Sequence, residues 1–179
     1  MLIEVRVLLR RLHDASPGTG LIRDATDTAA RAGDQLRRSG ALICAAQAQL
    51  IRAHAARLGQ IAPLLPAAPT HGDAQPRNFL WDPSARRLAL IDFERAETGP
   101  AVGDLVRLEY GPWDGRPGLR ASFLAGYGRS LTAAEEAALP GLAALDALSG
   151  LLWGTAASDQ DVVARARRTL ARLSAASPP

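Results

Sequence analysis

The stretch from Thr70 to Glu94, THGDAQPRNFLWDPSARRLALIDFE, constrains this chain more than any other. Two apolar runs, Phe79 to Trp81 and Leu88 to Ile91, flank Asp82-Pro83-Ser84-Ala85-Arg86-Arg87, a charged, turn-forming break. Apolar runs on either side of such a break predict a β-hairpin with a short loop. Folded about Ala85, the hairpin sets Leu80 opposite Leu90 and Asn78 opposite Asp92. Directly opposed residues of an antiparallel pair have Cβ atoms about 5 Å apart. The open end of the hairpin then brings an amide oxygen and a carboxylate together. Asp73, on the loop feeding the first strand, adds a second carboxylate.

Oxygen donors of this kind suit a hard cation such as Mg²⁺, which takes one or two carboxylates plus substrate phosphates. His71-Gly72-Asp73, four residues, then Asn78 resembles the kinase catalytic loop H-R-D-x-x-x-x-N. Gly72 in place of the kinase arginine, Pro76, and Ile91-Asp92-Phe93-Glu94 resemble the aminoglycoside phosphotransferase family of kinase-like small-molecule kinases. Arg77 stands where many relatives have Gly and adds a bulky cation beside Asn78. The resemblance covers most of the chain, but only Thr70 to Leu105 is specific.

The fold this implies is mainly α with a small β-hairpin. It is the C-terminal, helical lobe of the protein-kinase-like fold, with the N-terminal β-rich lobe absent. In the family that first lobe carries a lysine for the nucleotide phosphates. All 21 Lys+Arg residues here are arginine, so no displaced lysine takes its place. The expectation is a truncation or a missed upstream start, or else a genuine short protein. Residues 1–174 are read as one kinase-like lobe and 175–179 as a disordered tail.

Helical periodicity supports this. Leu2, Val5, Leu9 and Leu12 mark a helix over 2–14, with His13 structural rather than catalytic. Ser16 to Gly20 is a loop. Helices follow near 24–38 and 41–59. The second has Leu42, Ile43, Ala46, Leu50, Ile51 and Leu58 as its buried stripe, and Cys44 as a small buried hydrophobe. Pro63, Pro66 and Pro69 deliver extended chain to His71. Further helices are predicted at 105–110, 117–127, 133–138, 141–154 and 159–174. Thr132-x-x-Glu135 reads as a capping box.

By resemblance, Asp73 accepts the proton of, or orients, the attacking hydroxyl, and Asn78 and Asp92 hold Mg²⁺ and with it the nucleotide, ATP or GTP. His71 braces the loop by hydrogen bonding. Asp104, in Gly103-Asp104-Leu105, holds the loop backbone or caps the following helix. Asp104 is expected buried and Asp73 more exposed. Glu94 lies on the same face of an extended strand as Asp92, near the metal or at the strand's end.

The implied function is phosphoryl transfer to a hydroxyl of a small molecule, an aminoglycoside among the candidates, by a chain weakly active or inactive on its own. Glu97, Glu109, Asp114, Asp146 and Asp159 are the acids available to a cationic acceptor. The alternative is a non-catalytic lobe, a nucleotide- or metal-binding or interaction module. A net charge of +3 with scattered arginines and 4% aromatics argues against a nucleic-acid partner. The single cysteine rules out an internal disulfide. No apolar run approaches a membrane span, and a cytoplasmic setting is the default expectation.

Overall fold

The structure, a computed structural model, describes residues 2–15 and 25–176, with side chains described for 5–15 and 30–176. The expected Ser16–Gly20 loop lies outside the described residues, as do residues 177–179 of the expected tail. The elements are helices α1 (Leu2–Asp14), α2 (Ala25–Ser39), α3 (Ala45–Ile61), α4 (Val106–Glu109), α5 (Pro117–Tyr127), α6 (Ala133–Ala156) and α7 (Gln160–Ala176). Four short strands accompany them: β1 (Ala67–Thr70), β2 (Phe79–Asp82), β3 (Arg87–Leu90) and β4 (Glu97–Pro100). The chain divides into two compact units, Met1–Ile22 with Leu65–Glu136, and Arg23–Leu64 with Ala137–Pro179.

The first unit holds both strand pairs. Its core is Val5 and Leu9 of α1, Ala74, Leu105, Leu108, Trp113, and Phe123 and Tyr127 of α5. Pro117 occupies the first turn of α5, where a missing N–H costs nothing. Gly128, with φ 87°, ends the helix in a left-handed cap.

The hairpin forms, but its register differs from expectation. Phe79 pairs with Leu90, Leu80 with Ala89, Trp81 with Leu88 and Asp82 with Arg87. Leu80 therefore does not face Leu90, and continuing the ladder sets Asn78 opposite Ile91, whose N–H donates to the Asn78 carbonyl at 3.0 Å. Asn78 does not face Asp92. The reason lies in the turn. Asp82 Oδ1 accepts from the N–H and hydroxyl of Ser84 and the N–H of Ala85 at 2.8, 2.6 and 3.1 Å. Arg86 takes a left-handed φ of 48°. The loop thus centres between Ser84 and Ala85 and not on Ala85. Because strand side chains alternate faces, a one-residue slip exchanges them. Phe79, Leu88 and Leu90 pack on the core, and Leu80 is exposed.

A second ribbon pairs β1 with β4, Ala67 opposite Pro100 and Thr70 opposite Glu97. The sequence reading gives this segment only as extended chain. Prolines lower strand propensity and cannot donate to a ladder, yet a two-stranded ribbon leaves each strand an unpaired side.

The second unit packs α2 on α3, with α3 also meeting α7. Cys44 is exposed and not buried. With Gln47 it forms a capping box that starts α3 at Ala45 rather than near 41. Leu42 and Ile43 consequently precede the helix, and Ala46 is exposed. The buried stripe is Ile51, Ala55 and Leu58. On α7, Val162, Ala166, Leu170 and Leu173 are buried as the periodicity implies. That helix continues through Ser174 to Ala176, where the sequence suggests a tail.

α6 is one helix of 24 residues with Pro140 inside it, not two. Pro140 removes the N–H that would bond the Glu136 carbonyl, and an interior proline costs about 3 kcal/mol. Ala138, Leu139, Ala143, Ala144, Ala147, Leu148 and Leu151 are all buried, and their burial carries the helix through. Contrary to the sequence reading, α6 is long and apolar enough to cross a membrane by length and composition. Half of its apolar window is buried inside the protein, as in a core helix.

The capping box at its start is complete. Glu135 Oε2 accepts from the Thr132 N–H at 2.8 Å, and Thr132 Oγ1 from the Glu135 N–H at 3.2 Å. Glu135 is fully buried and takes two hydrogen bonds from Arg129, at 2.6 and 2.7 Å. Burial pushes its carboxyl up, but Arg129 and the Thr132 N–H outweigh this and hold it below the ordinary value. A depressed folded-state value stabilises above the unfolded pKa, about 4.3, and that stability is lost as pH falls through the folded value. Glu135→Gln should therefore cost about 1.5–3 kcal/mol at pH 7. Urea unfolding at pH 7 and pH 3 should show the gap to wild type narrowing in acid. An equal gap at both would remove the ion pair as its source.

Candidate active site

The site lies within the first unit. β1 delivers the chain to His71-Gly72-Asp73, a short 3-10 turn at Pro76–Asn78 leads into β2, and β3 returns to Asp92. The pivot is Asp104, 2% exposed, in the 3-10 turn Ala101–Leu105. Its Oδ2 accepts from the His71 N–H at 2.7 Å and its Oδ1 from the Gly72 N–H at 2.8 Å. The carboxylate goes to the loop, and no side-chain cap is formed at the start of α4.

His13 completes this support. Its Nε2 lies 3.0 Å from Asp104 Oδ2 and its Nδ1 2.5 Å from the Tyr127 hydroxyl. A carboxylate only accepts, so Nε2 carries the proton, and in the neutral ring Nδ1 accepts from Tyr127. α1, α5 and the loop are tied together through one carboxylate.

His71 is wholly buried. Its Nδ1 lies 3.2 Å from the Asp73 N–H, which donates to it, so Nε2 bears the proton and donates to the Ile91 carbonyl at 2.8 Å. His71 thereby couples the loop to the end of the hairpin. Phe93 packs edge-on against its ring, with centroids 4.6 Å apart.

Asp73 is buried as well, at 5% exposure, and not open to solvent as expected. Oδ1 accepts from Gln75 Nε2 at 2.7 Å and pairs with Arg107. Oδ2 accepts from Asn78 Nδ2 at 3.0 Å and from Arg77 at 3.3 Å. Asn78 Nδ2 also donates to the Asp73 carbonyl at 2.9 Å. Both contacts of that amide edge are to acceptors, so it is the NH₂, and Oδ1 is turned away from Asp73.

Asp92 adopts a left-handed conformation, φ 68° and ψ 62°, and Phe93–Arg95 follow as a 3-10 turn. Asp92 and Glu94 are exposed. Glu94 is therefore not on a strand face shared with Asp92. No group of three or more His, Cys, Asp or Glu able to hold a metal occurs among the described residues. Asn78 Oδ1 and the Asp92 carboxylate are hard oxygen donors, too few to hold an ion alone but of the chemistry Mg²⁺ takes beside phosphates.

The family profile described as "Phosphotransferase enzyme family" matches residues 2–148. The chain belongs to the phosphotransferase enzyme family. The residues from which the resemblance is drawn, His71-Gly72-Asp73, Asn78 and Ile91 to Glu94, thus point to the family that matches. Among solved structures, aminoglycoside 2'-phosphotransferase-IIIa in its GDP complex is 18% identical with a TM-score of 0.70, over 97% of this chain and 61% of its own. A choline/ethanolamine kinase family protein from Mesorhizobium loti is 20% identical, TM-score 0.69, over 99% and 62%. Aminoglycoside phosphotransferase APH(3'')-Id from Streptomyces rimosus is 22% identical, TM-score 0.61, over 80% and 60%. These share the kinase-like fold, and this chain spans about three fifths of their length. No curated protein matches.

The sequence reading missed His13 as a partner of Asp104, and Gln75 and Arg107 as partners of Asp73. Gln75 lies within the motif as one of its unspecified positions. Arg107 follows Asp104 by three residues and has no motif of its own.

Thermal melts test this arrangement. Asp104→Ala strips the acceptor from the buried His71 N–H, from the Gly72 N–H and from His13, and should cost about 1.5–3 kcal/mol. Asp73→Ala should also lower the melting temperature, because it removes the carboxylate on which Arg107, Gln75 and Asn78 converge. A wild-type melt for Asp104→Ala would contradict the support role. Gly72 has φ 73°, and a Cβ there would meet the Arg95 carbonyl oxygen. Gly72→Ala should cost more than about 1 kcal/mol, and a neutral effect would mean that the Arg95 carbonyl yields freely.

Proposed function

We propose that this chain is the helical part of a small-molecule phosphotransferase, transferring the γ-phosphoryl group of ATP or GTP to a hydroxyl. The observation that carries the reading is the Asp73–Asn78 pair on a loop held by Asp104, in a chain of this family. Phosphoryl transfer asks a protein mainly for positioning and electrostatic stabilisation. Asp73 orients the attacking hydroxyl and takes its proton. Asn78 Oδ1 and Asp92 would hold magnesium, which would supply positive charge to neutralise the nucleotide phosphates. His71 and Asp104 keep the loop in shape. The GDP complex of one structural neighbour, and the ADP and streptomycin complex of another, support nucleotide use and a hydroxyl acceptor.

By resemblance, the family's first lobe adds the phosphate-binding lysine and the second wall of the nucleotide site. Water in that space raises the effective dielectric and weakens each remaining contact. Residues 1–179 alone should bind Mg²⁺-nucleotide at millimolar affinity at best, about −4 kcal/mol, with little turnover. The second reading, a non-catalytic lobe, is favoured by one observation: Asp73 already carries four donors. The test is nucleotide binding and phosphorylation of a panel of hydroxyl compounds by residues 1–179. Weakened binding in Asn78→Ala and Asp92→Ala, with any turnover lost in Asp73→Asn, is expected. Binding unchanged in both variants would refute the metal assignment. Turnover that survives Asp73→Asn would refute the role of Asp73.

A further inference from the structure

We propose that the acceptor is a hydroxyl compound bearing an anionic group, a carboxylate or a phosphate, and that Arg77 is the residue that selects it. The proposal rests on the phosphotransferase reading of Asp73. A carboxylate offers about four lone-pair positions. Those of Asp73 receive Gln75 and Arg107 on Oδ1, and Asn78 and Arg77 on Oδ2. An incoming hydroxyl reaches the carboxylate only by displacing one of them. Gln75 and Asn78 are buried, and the Arg107 side chain is 11% exposed. Arg77 makes the longest of the four contacts, 3.3 Å, from a side chain 57% exposed. It is the donor that yields.

The displaced guanidinium stays tethered beside the bound acceptor, one residue from Asn78. An anionic substituent on the acceptor accepts its charge-assisted hydrogen bonds, whereas an ammonium meets like charge. The surroundings add to this bias. Two guanidiniums flank the single Asp73 carboxylate. Of the acids that a cationic acceptor would call on, Glu109 is paired with Arg120 at 2.7 Å.

The test is binding to residues 1–179, followed by ligand-detected NMR, of four matched compounds: glycerate, glycerol 3-phosphate, glycerol and 3-amino-1,2-propanediol. One charge-assisted pair gives about a tenfold preference. Glycerate or glycerol 3-phosphate, or both, should bind about tenfold more tightly than the amine, and which of them does so identifies the anion. Arg77→Gln should narrow the difference and Arg77→Glu should reverse it, with circular dichroism showing both variants folded. Arg52→Gln, an exposed arginine of α3, should leave the order intact. The same order in Arg77→Glu as in wild type, tighter binding of the amine by wild type, or equal binding of all four, undetectable binding included, overturns the proposal. Nucleotide-dependent transfer to the same compounds separates the two readings. Transfer confined to the amine sinks the anionic acceptor and leaves the phosphotransferase standing. Anion-selective binding that depends on Arg77, with Mg²⁺-nucleotide binding unchanged in Asn78→Ala and Asp92→Ala, supports the Arg77 site and counts against the phosphotransferase reading.

Discussion

One buried carboxylate organises the functional end of this protein. Asp104 takes hydrogen bonds from two consecutive backbone N–H groups, those of His71 and Gly72, and a third from His13. The His71 N–H is buried, and left unpaired it would cost about 1–3 kcal/mol. Gly72 makes the turn possible through its positive φ and its lack of a side chain against Arg95. Once Asp104 holds this turn, His71 and Asp73 have little freedom, and the rest of the site follows from them. His71 reaches forward to the Ile91 carbonyl, and Asp73 gathers Asn78. The hairpin is therefore joined to the loop at both of its ends by polar contacts rather than by apolar packing alone.

Much of this was legible in the residues, and the limits have physical causes. Period-3.6 patterns located α1, α5 and α7 because their buried stripes are apolar and regular. Thr132 and Glu135 announced their cap because both halves of the box lie within one turn of chain. The hairpin was legible, but its register was not. The register depends on Asp82 closing the turn with Ser84 and on Arg86 accepting a left-handed conformation, and arginine carries no sequence signal for that conformation. The same limit applies at Asp92, whose positive φ turns the chain out of the strand and takes Glu94 with it. Pro140 shows the opposite failure, a strong local signal overruled by the burial of its neighbours. Cys44 reads as apolar by company, yet it stands at a helix start where Gln47 returns to its N–H.

The partners of the site were the least legible part. His13, Gln75 and Arg107 reach Asp104 and Asp73 from α1, from the loop itself and from α4. Only Gln75 is close to Asp73 in sequence. Tertiary contacts of this kind carry no spacing rule, so a motif reading finds the carboxylates and misses what is bonded to them. The exposure of Asp73 was misjudged for that reason: a carboxylate with four donors can be buried, and one without them cannot.

That burial bears on how the site can work. A buried ion pair is weak evidence for stability, since the desolvation of both partners offsets their attraction. Arg107 beside Asp73 is thus better understood as fixing which way the carboxylate points than as a source of folding energy. With Gln75 and Arg107 on one oxygen and Asn78 on the other, the carboxylate plane has a single defined orientation, and the most exposed contact is the one made by Arg77. Orientation of this kind is what phosphoryl transfer requires of its loop carboxylate, because the barrier falls mainly through positioning. On the proposed reading, a carboxylate held so firmly serves by aiming the acceptor hydroxyl.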